Sequence, residues 1–181
     1  MKRLIITFAI LASGLTMTAQ EKFGRTLNLG FGIGYYGYYG SVAPALSLNY
    51  EFDLFRNFTL APFASVSSYR SERYWGNNDN PYRNYYYRET TIPVGAKGTY
   101  YFDELFRASD RWDFYAAASV GAAFRTTTWE NGYNGDRAVR NYASPLYGNL
   151  HVGSECHVTP NFGIFLDLST GLSTFGLSFH M

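Results

Sequence analysis

The feature that most restricts this chain is a period of two that runs through it from Arg25 onward. Leu27, Leu29, Phe31, Ile33 and Tyr35 alternate with Thr26, Asn28, Gly30, Gly32 and Gly34. Pro44, Leu46, Leu48, Tyr50 and Phe52 alternate with Ala45, Ser47, Asn49 and Glu51. Leu60, Pro62, Ala64 and Val66 alternate with Ala61, Phe63, Ser65 and Ser67, and Ile92, Val94, Ala96, Gly98, Tyr100 and Phe102 with Pro93, Gly95, Lys97, Thr99 and Tyr101. The same rhythm returns in Phe114 to Phe124, Leu146 to Val158, Phe162 to Leu168 and Phe175-Leu177-Phe179. Successive side chains of a strand point to opposite faces, so each segment has one apolar face and one small or polar face. The count is eight strands, with no amphipathic helix among them.

An even number of strands, most near the roughly 9–11 residues that a tilted strand needs to cross a bilayer, suits a closed transmembrane barrel. The connections sort by length. Asp53 to Asn57 and Thr159-Pro160-Asn161 are tight turns, and Asp103 to Arg111 is moderate. The long segments, Tyr69 to Glu89 and Thr126 to Ser144, both fall at the opposite end. The Tyr35 to Ser41 and Ser169 to Ser173 connections fall at that end too but are short; long loops confined to one side are the asymmetry of membrane barrels, and a soluble sandwich has no reason for it. The expected fold is therefore all-β, an eight-stranded antiparallel up-and-down transmembrane β-barrel.

The charges test this reading. Glu51, Lys97, Arg125, His151, Glu155, His157 and Asp167 lie within the strands, and all seven fall on the face opposite the apolar series. A charge facing lipid at mid-depth costs about 2–4 kcal/mol. Eight strands enclose a space just wide enough for side chains to fill, so these residues describe a packed polar lumen and not a channel. Lys97 is the only lysine beyond Lys22 and stands at a depth similar to Asp167, with Glu155 and Glu51 nearer the rim. It is expected to pair with one or more of these carboxylates, because an unpaired buried charge is expensive. The role expected of this network is structural.

Composition excludes other classes. Charged residues are 16% of the chain and the formal net charge is +1, so no basic surface for nucleic acid is indicated. Beyond the first twenty residues no apolar run approaches the roughly 18 residues of a spanning helix. The single Cys156 forbids an intrachain disulfide and reads as a packing residue.

Several motifs have plainer explanations. Gly32-Ile33-Gly34-Tyr35-Tyr36-Gly37 fits GxGxxG, but tyrosines and another strand follow where a dinucleotide site needs a helix. His151 and His157 are too far apart along one strand to hold a single ion. Glu155 and His157 would need Asp167 as a third ligand, and a hydrogen-bonded network without metal or other cofactor is the expectation. His151 opposite Ser169 is the nearest approach to a nucleophile and its base, without a visible oxyanion hole; no catalytic residue is assigned. Asn57-Phe58-Thr59 is a glycosylation sequon only by pattern.

The Tyr69–Glu89 stretch sets arginines among aromatics. Arg70, Arg73, Arg83 and Arg88 stand with Tyr74, Trp75 and Tyr82. Guanidinium groups suit phosphates, and Tyr and Trp suit contact surfaces, so these seven are the candidates for contact with an anionic glycolipid or a partner. The alternative is that both strands continue above the membrane and carry an aromatic girdle at its surface.

The N-terminus has the layout of a secretory signal peptide: Lys2-Arg3, a mostly apolar run from Leu4 to Leu15, then Thr18-Ala19-Gln20. Residues 1–19 are expected to be removed, leaving 20–181 as the barrel, with no cysteine near the cut for a lipid anchor.

The whole mature stretch resembles the small outer-membrane β-barrel family of Gram-negative bacteria, akin to outer membrane protein X and the barrel of OmpA. The resemblance is carried by Thr91-Ile92-Pro93-Val94-Gly95-Ala96-Lys97-Gly98-Thr99-Tyr100-Tyr101-Phe102, by Tyr115 to Phe124, and by the final Thr174-Phe175-Gly176-Leu177-Ser178-Phe179. The last of these resembles the strand read by barrel-assembly machinery, but the chain ends in His180-Met181 instead of an aromatic residue. The resemblance implies a monomeric barrel in the outer membrane, in contact with outer-membrane lipid and lipopolysaccharide, with roles in envelope integrity, adhesion or surface interaction. Competing readings are a barrel that binds a lipid or small molecule, a lipid A-modifying enzyme, and, more weakly, a pore.

Overall fold

A computed structural model describes residues 25–34, 43–55, 57–102, 111–137 and 145–181. The eight strands expected from the alternation are present: β1 (Thr26–Gly34), β2 (Ala43–Phe55), β3 (Phe58–Asn77), β4 (Asn80–Tyr101), β5 (Trp112–Trp129), β6 (Leu146–Thr159), β7 (Phe162–Ser169) and β8 (Leu172–His180). Each pairs antiparallel with the next, and β8 returns to β1 with Leu29 opposite Leu177 and Gly30 opposite Gly176. Closure pairs the strands on both sides within the wall, which a sheet surrounded by hydrocarbon requires. The proposed signal peptide, the Tyr35–Ser41 connection and most of the Asp103–Arg111 connection lie outside the described residues.

Polarity runs opposite to that of a water-soluble barrel. Leu48 is 44% exposed, Val120 59% and Leu150 66%, whereas Glu51, Lys97, Glu155 and Asp167 are each 7% exposed or less. Val94 and Leu166 also face outward. Phe55, Tyr100 and Trp112 stand exposed on the wall near the short-turn end, where an aromatic girdle meets the membrane surface. The wall is built for hydrocarbon.

The strand ends differ from the sequence reading on one side. The Tyr69–Glu89 stretch is no loop: β3 and β4 pair without interruption from Ser67 opposite Thr91 to Trp75 opposite Arg83, and turn at Asp79. β5 likewise runs on to Trp129. The alternation of hydrophobicity stops near Ser67 because both faces of the ribbon have left the hydrocarbon there, while the pairing continues.

Candidate functional site

The lumen holds a chain of ionic contacts built from the inward set. Lys97 on β4 reaches across to β7, where its Nζ lies 2.6 Å from Asp167 Oδ2. The other carboxylate oxygen, Oδ1, is 2.7 Å from His151 Nδ1, and the far side of that ring places Nε2 2.9 Å from Ser119 Oγ. Tyr115 donates to Asp167 Oδ2 at 3.0 Å, and its ring lies 4.9 Å from Lys97 Nζ. Tyr115 fits because β6 carries Gly153 beside it, where a Cβ would strike the phenol and the carbonyl of Leu166.

Glu51 forms a second node. It accepts from Asn28 Nδ2 at 3.1 Å, from Thr59 Oγ1 at 2.9 Å and from Tyr101 Oη at 2.8 Å. Tyr101 and Tyr115 meet edge to face with ring centroids 5.6 Å apart, joining the two nodes. Nearer the short-turn end, His157 Nε2 is 2.7 Å from Asp113 Oδ2 and His180 Nε2 is 2.7 Å from Glu155 Oε1. Toward the other end Arg125 stands opposite Thr91, diagonal to Glu89. Glu89 is buried and accepts from Tyr69 Oη at 3.1 Å.

Several positions depart from expectation. His151 does pair with Ser169 across β6 and β7, but its ring turns inward to Ser119 and Asp167. The hydroxyl of Ser169 accepts from the amide of Gly171. Asp167 is taken by Lys97 and His151, so it is not the third companion of Glu155 and His157; His180 is. Glu89, Asp113 and His180 are not among the seven residues expected in the lumen, yet all three continue the inward period of their strands.

Ser119, His151 and Asp167 stand in the order of a nucleophile, a base and its orienting acid. The cavity beside them, lined by Lys97, Ser119, Tyr147, His151, Phe165 and Asp167 among others, has a volume of about 40 Å³. That is room for roughly one water, and not for an ester. Among the described residues, side chains pack the lumen around this site, as eight strands dictate.

The candidate contact residues divide between the two faces of the β3–β4 extension. Arg73, Trp75 and Arg83 share one face with Tyr85. There the Trp75 and Tyr85 rings meet Tyr133 at centroid distances of 5.2 and 5.4 Å, and Trp129 stacks on Tyr133 at 4.3 Å. Arg83 lies over the Tyr85 ring and 3.1 Å from Glu130, and Arg73 donates to the carbonyl of Asp136. This face is closed by the segment after β5. The other face carries Arg70 opposite Arg88 and Tyr74 beside Tyr82, all exposed, with Arg70 over the Tyr86 ring at 4.0 Å. The seven residues therefore do not form one surface.

No protein-family model matches the chain, and no curated protein matches it. Solved structures do. The crystal structure of Neisserial surface protein A superposes with a TM-score of 0.51 at 12% identity, over 87% of this chain and 96% of that one. Ail, the attachment invasion locus protein of Yersinia pestis, in complex with the heparin analogue sucrose octasulfate, gives 0.49 at 10% identity over 86% and 95%. A de novo designed transmembrane β-barrel gives 0.48 at 12% identity over 88% and 98%. At such identities the likeness speaks for the fold, and the chain has the closed eight-stranded membrane-barrel fold of Neisserial surface protein A.

Proposed function

We infer that this chain is an integral outer-membrane barrel with a structural and surface-contact role, without an open pore and without catalysis. The observation that carries the reading is the inversion of polarity, with apolar side chains on the wall and ion pairs in a filled lumen. Closed, even-stranded barrels of this kind are outer-membrane structures in bacteria. Alkaline carbonate extraction of fractionated envelopes tests it. The protein should stay in the outer-membrane pellet, and release into the supernatant would defeat the reading.

The contact surface favoured is the outward face of the β3–β4 extension. Arg70 and Arg88 oppose each other across the two strands, a like-charge pair that an intervening anion stabilises. They stand four residues beyond Val66 and Ile92 on the wall, roughly 13 Å along the strands at their usual rise. Below them a groove of about 910 Å³ between Phe31, Leu46, Val66, Ile92 and Phe175 has room for acyl chains. A phosphate-bearing glycolipid of the outer leaflet matches both. Replacing both arginines with glutamate should weaken co-purification of lipopolysaccharide with the folded barrel, and unchanged co-purification would remove this partner.

A further inference from the structure

Three metal-binding donors gather at the short-turn rim, apart from the Lys97–Asp167 network. One ligating atom each from Glu155, His157 and His180 lies within 4.8 Å of the other two. Asp113 Oδ2 lies 2.7 Å from His157 Nε2, and His180 Nε2 is 2.7 Å from Glu155 Oε1. The two imidazole centroids are 4.8 Å apart.

The strands are arranged to let these groups meet. β7 separates β6 from β8, and its inward residue at this height is Gly163, paired with His157 on one side and Ser178 on the other. A Cβ on Gly163 would collide with Glu155 Oε1. Glycine thus leaves the carboxylate free to cross over β7 to His180. On the far side Thr26 Oγ1 lies 2.9 Å from His180 Nδ1, a hydrogen bond to the second ring nitrogen of the kind that orients metal-binding imidazoles. The His157 and His180 side chains are 23% and 15% exposed, so an ion can arrive from solvent.

We propose that Glu155, His157 and His180 bind one divalent transition-metal ion, best matched by Zn²⁺, with Asp113 beside His157 to hold its ring. Two imidazole nitrogens with carboxylate oxygens are a zinc donor set. Donors at about 2.0–2.2 Å from a tetrahedral ion stand about 3–3.5 Å from one another. The 2.7 Å contact between His180 and Glu155 opens slightly and a separation of up to 4.8 Å closes by about 1.3–1.8 Å, movements that torsions of partly exposed histidines supply. His180 is the last inward position of β8, where the chain departs from an aromatic ending. An ion there ties β8 to β6 at the rim, and binding to the folded state alone raises the resistance to unfolding.

Tag-free barrel, refolded in detergent micelles and stripped of metal, is titrated with ZnCl₂ by calorimetry, with Co²⁺ absorption as a second probe. One ion per barrel, visible ligand-field bands and a higher unfolding temperature are expected. The His157→Gln/His180→Gln double variant should bind about tenfold more weakly or worse, given that even orienting partners are worth that much, while His151→Gln should bind as before. Should the double variant fail to fold, imidazole resonances of the unaltered protein decide: Zn²⁺ must shift His157 and His180 and leave His151 in place. No saturable binding, full binding by the double variant, or a shift confined to His151 would overturn the site.

Discussion

Lys97 Nζ and Asp167 Oδ2, 70 residues apart in the chain, meet at 2.6 Å inside the barrel, and His151 holds the carboxylate's other oxygen at 2.7 Å. Lys97 comes from β4 and Asp167 from β7, so the contact spans the lumen and depends on closure. Removing one partner strands a buried charge, which costs about 3–5 kcal/mol, far more than exchanging both for apolar groups. Lys97→Met should therefore lower the urea midpoint of the refolded barrel sharply. The Lys97→Met/Asp167→Leu double variant should recover part of the loss. Equal midpoints for Lys97→Met and the unaltered protein would mean that the pair contributes nothing.

The face on which Lys97 and Asp167 lie was readable from the sequence, because a period of two assigns every residue of a strand to one side. Which carboxylate Lys97 takes was not. Glu51, Glu155 and Asp167 share its side, and the choice depends on how far each strand is staggered against its neighbours when the barrel closes. The inward period also runs past the seven residues expected in the lumen. His180 follows Thr174, Gly176 and Ser178 on the inward face, and Asp113 precedes Tyr115 and Ala117. Above Ser67 the signal failed for a physical reason. Arg70, Tyr74, Tyr82 and Arg88 on one face are as polar and aromatic as Arg73, Trp75, Arg83 and Tyr85 on the other, so nothing in the pattern reveals pairing that persists in water.

Ser119, His151 and Asp167 have the spacing of a hydrolytic relay, yet a cavity of about 40 Å³ adjoins them. Access, and not hydrogen-bond geometry, is what a nucleophile lacks here. A fluorophosphonate probe should leave the folded barrel unlabelled. Stoichiometric labelling that disappears in Ser119→Ala would show that the lumen opens and that the protein is an enzyme.

Glu130 is tied to the outer hairpin by the amide of Tyr86, which donates to its Oε2 at 3.0 Å, and by Arg83 at 3.1 Å. The Tyr86 hydrogen bond first, and Arg83 after it, hold the carboxyl below its ordinary value. A depressed carboxylate stabilises the contact at pH values above the free group's range, and the contribution is lost as pH falls through the lowered value. Hydrogen exchange should show Tyr86 protected at neutral pH and, relative to neighbouring amides, deprotected in acid. Glu130→Gln should flatten that pH dependence; an unaltered profile would show that the Glu130 carboxylate does not hold the Tyr86 amide.

Leu48 tests the wall itself. It faces outward at 44% exposure, paired with Leu29 on β1 and Ala64 on β3, and the ring of neighbours continues through Val94 opposite Ala64. In water an arginine at such an exposed position is close to neutral, since surface changes shift stability by only about 0.5 kcal/mol. In hydrocarbon near mid-depth it costs about 2–4 kcal/mol. The two environments thus give opposite answers from one substitution. Leu48→Arg should fold measurably less stably in lipid vesicles, by urea titration, than Tyr74→Arg on the exposed ribbon above the membrane. Indistinguishable midpoints would place the belt around Leu48 in water and remove the physical basis for a membrane-spanning wall.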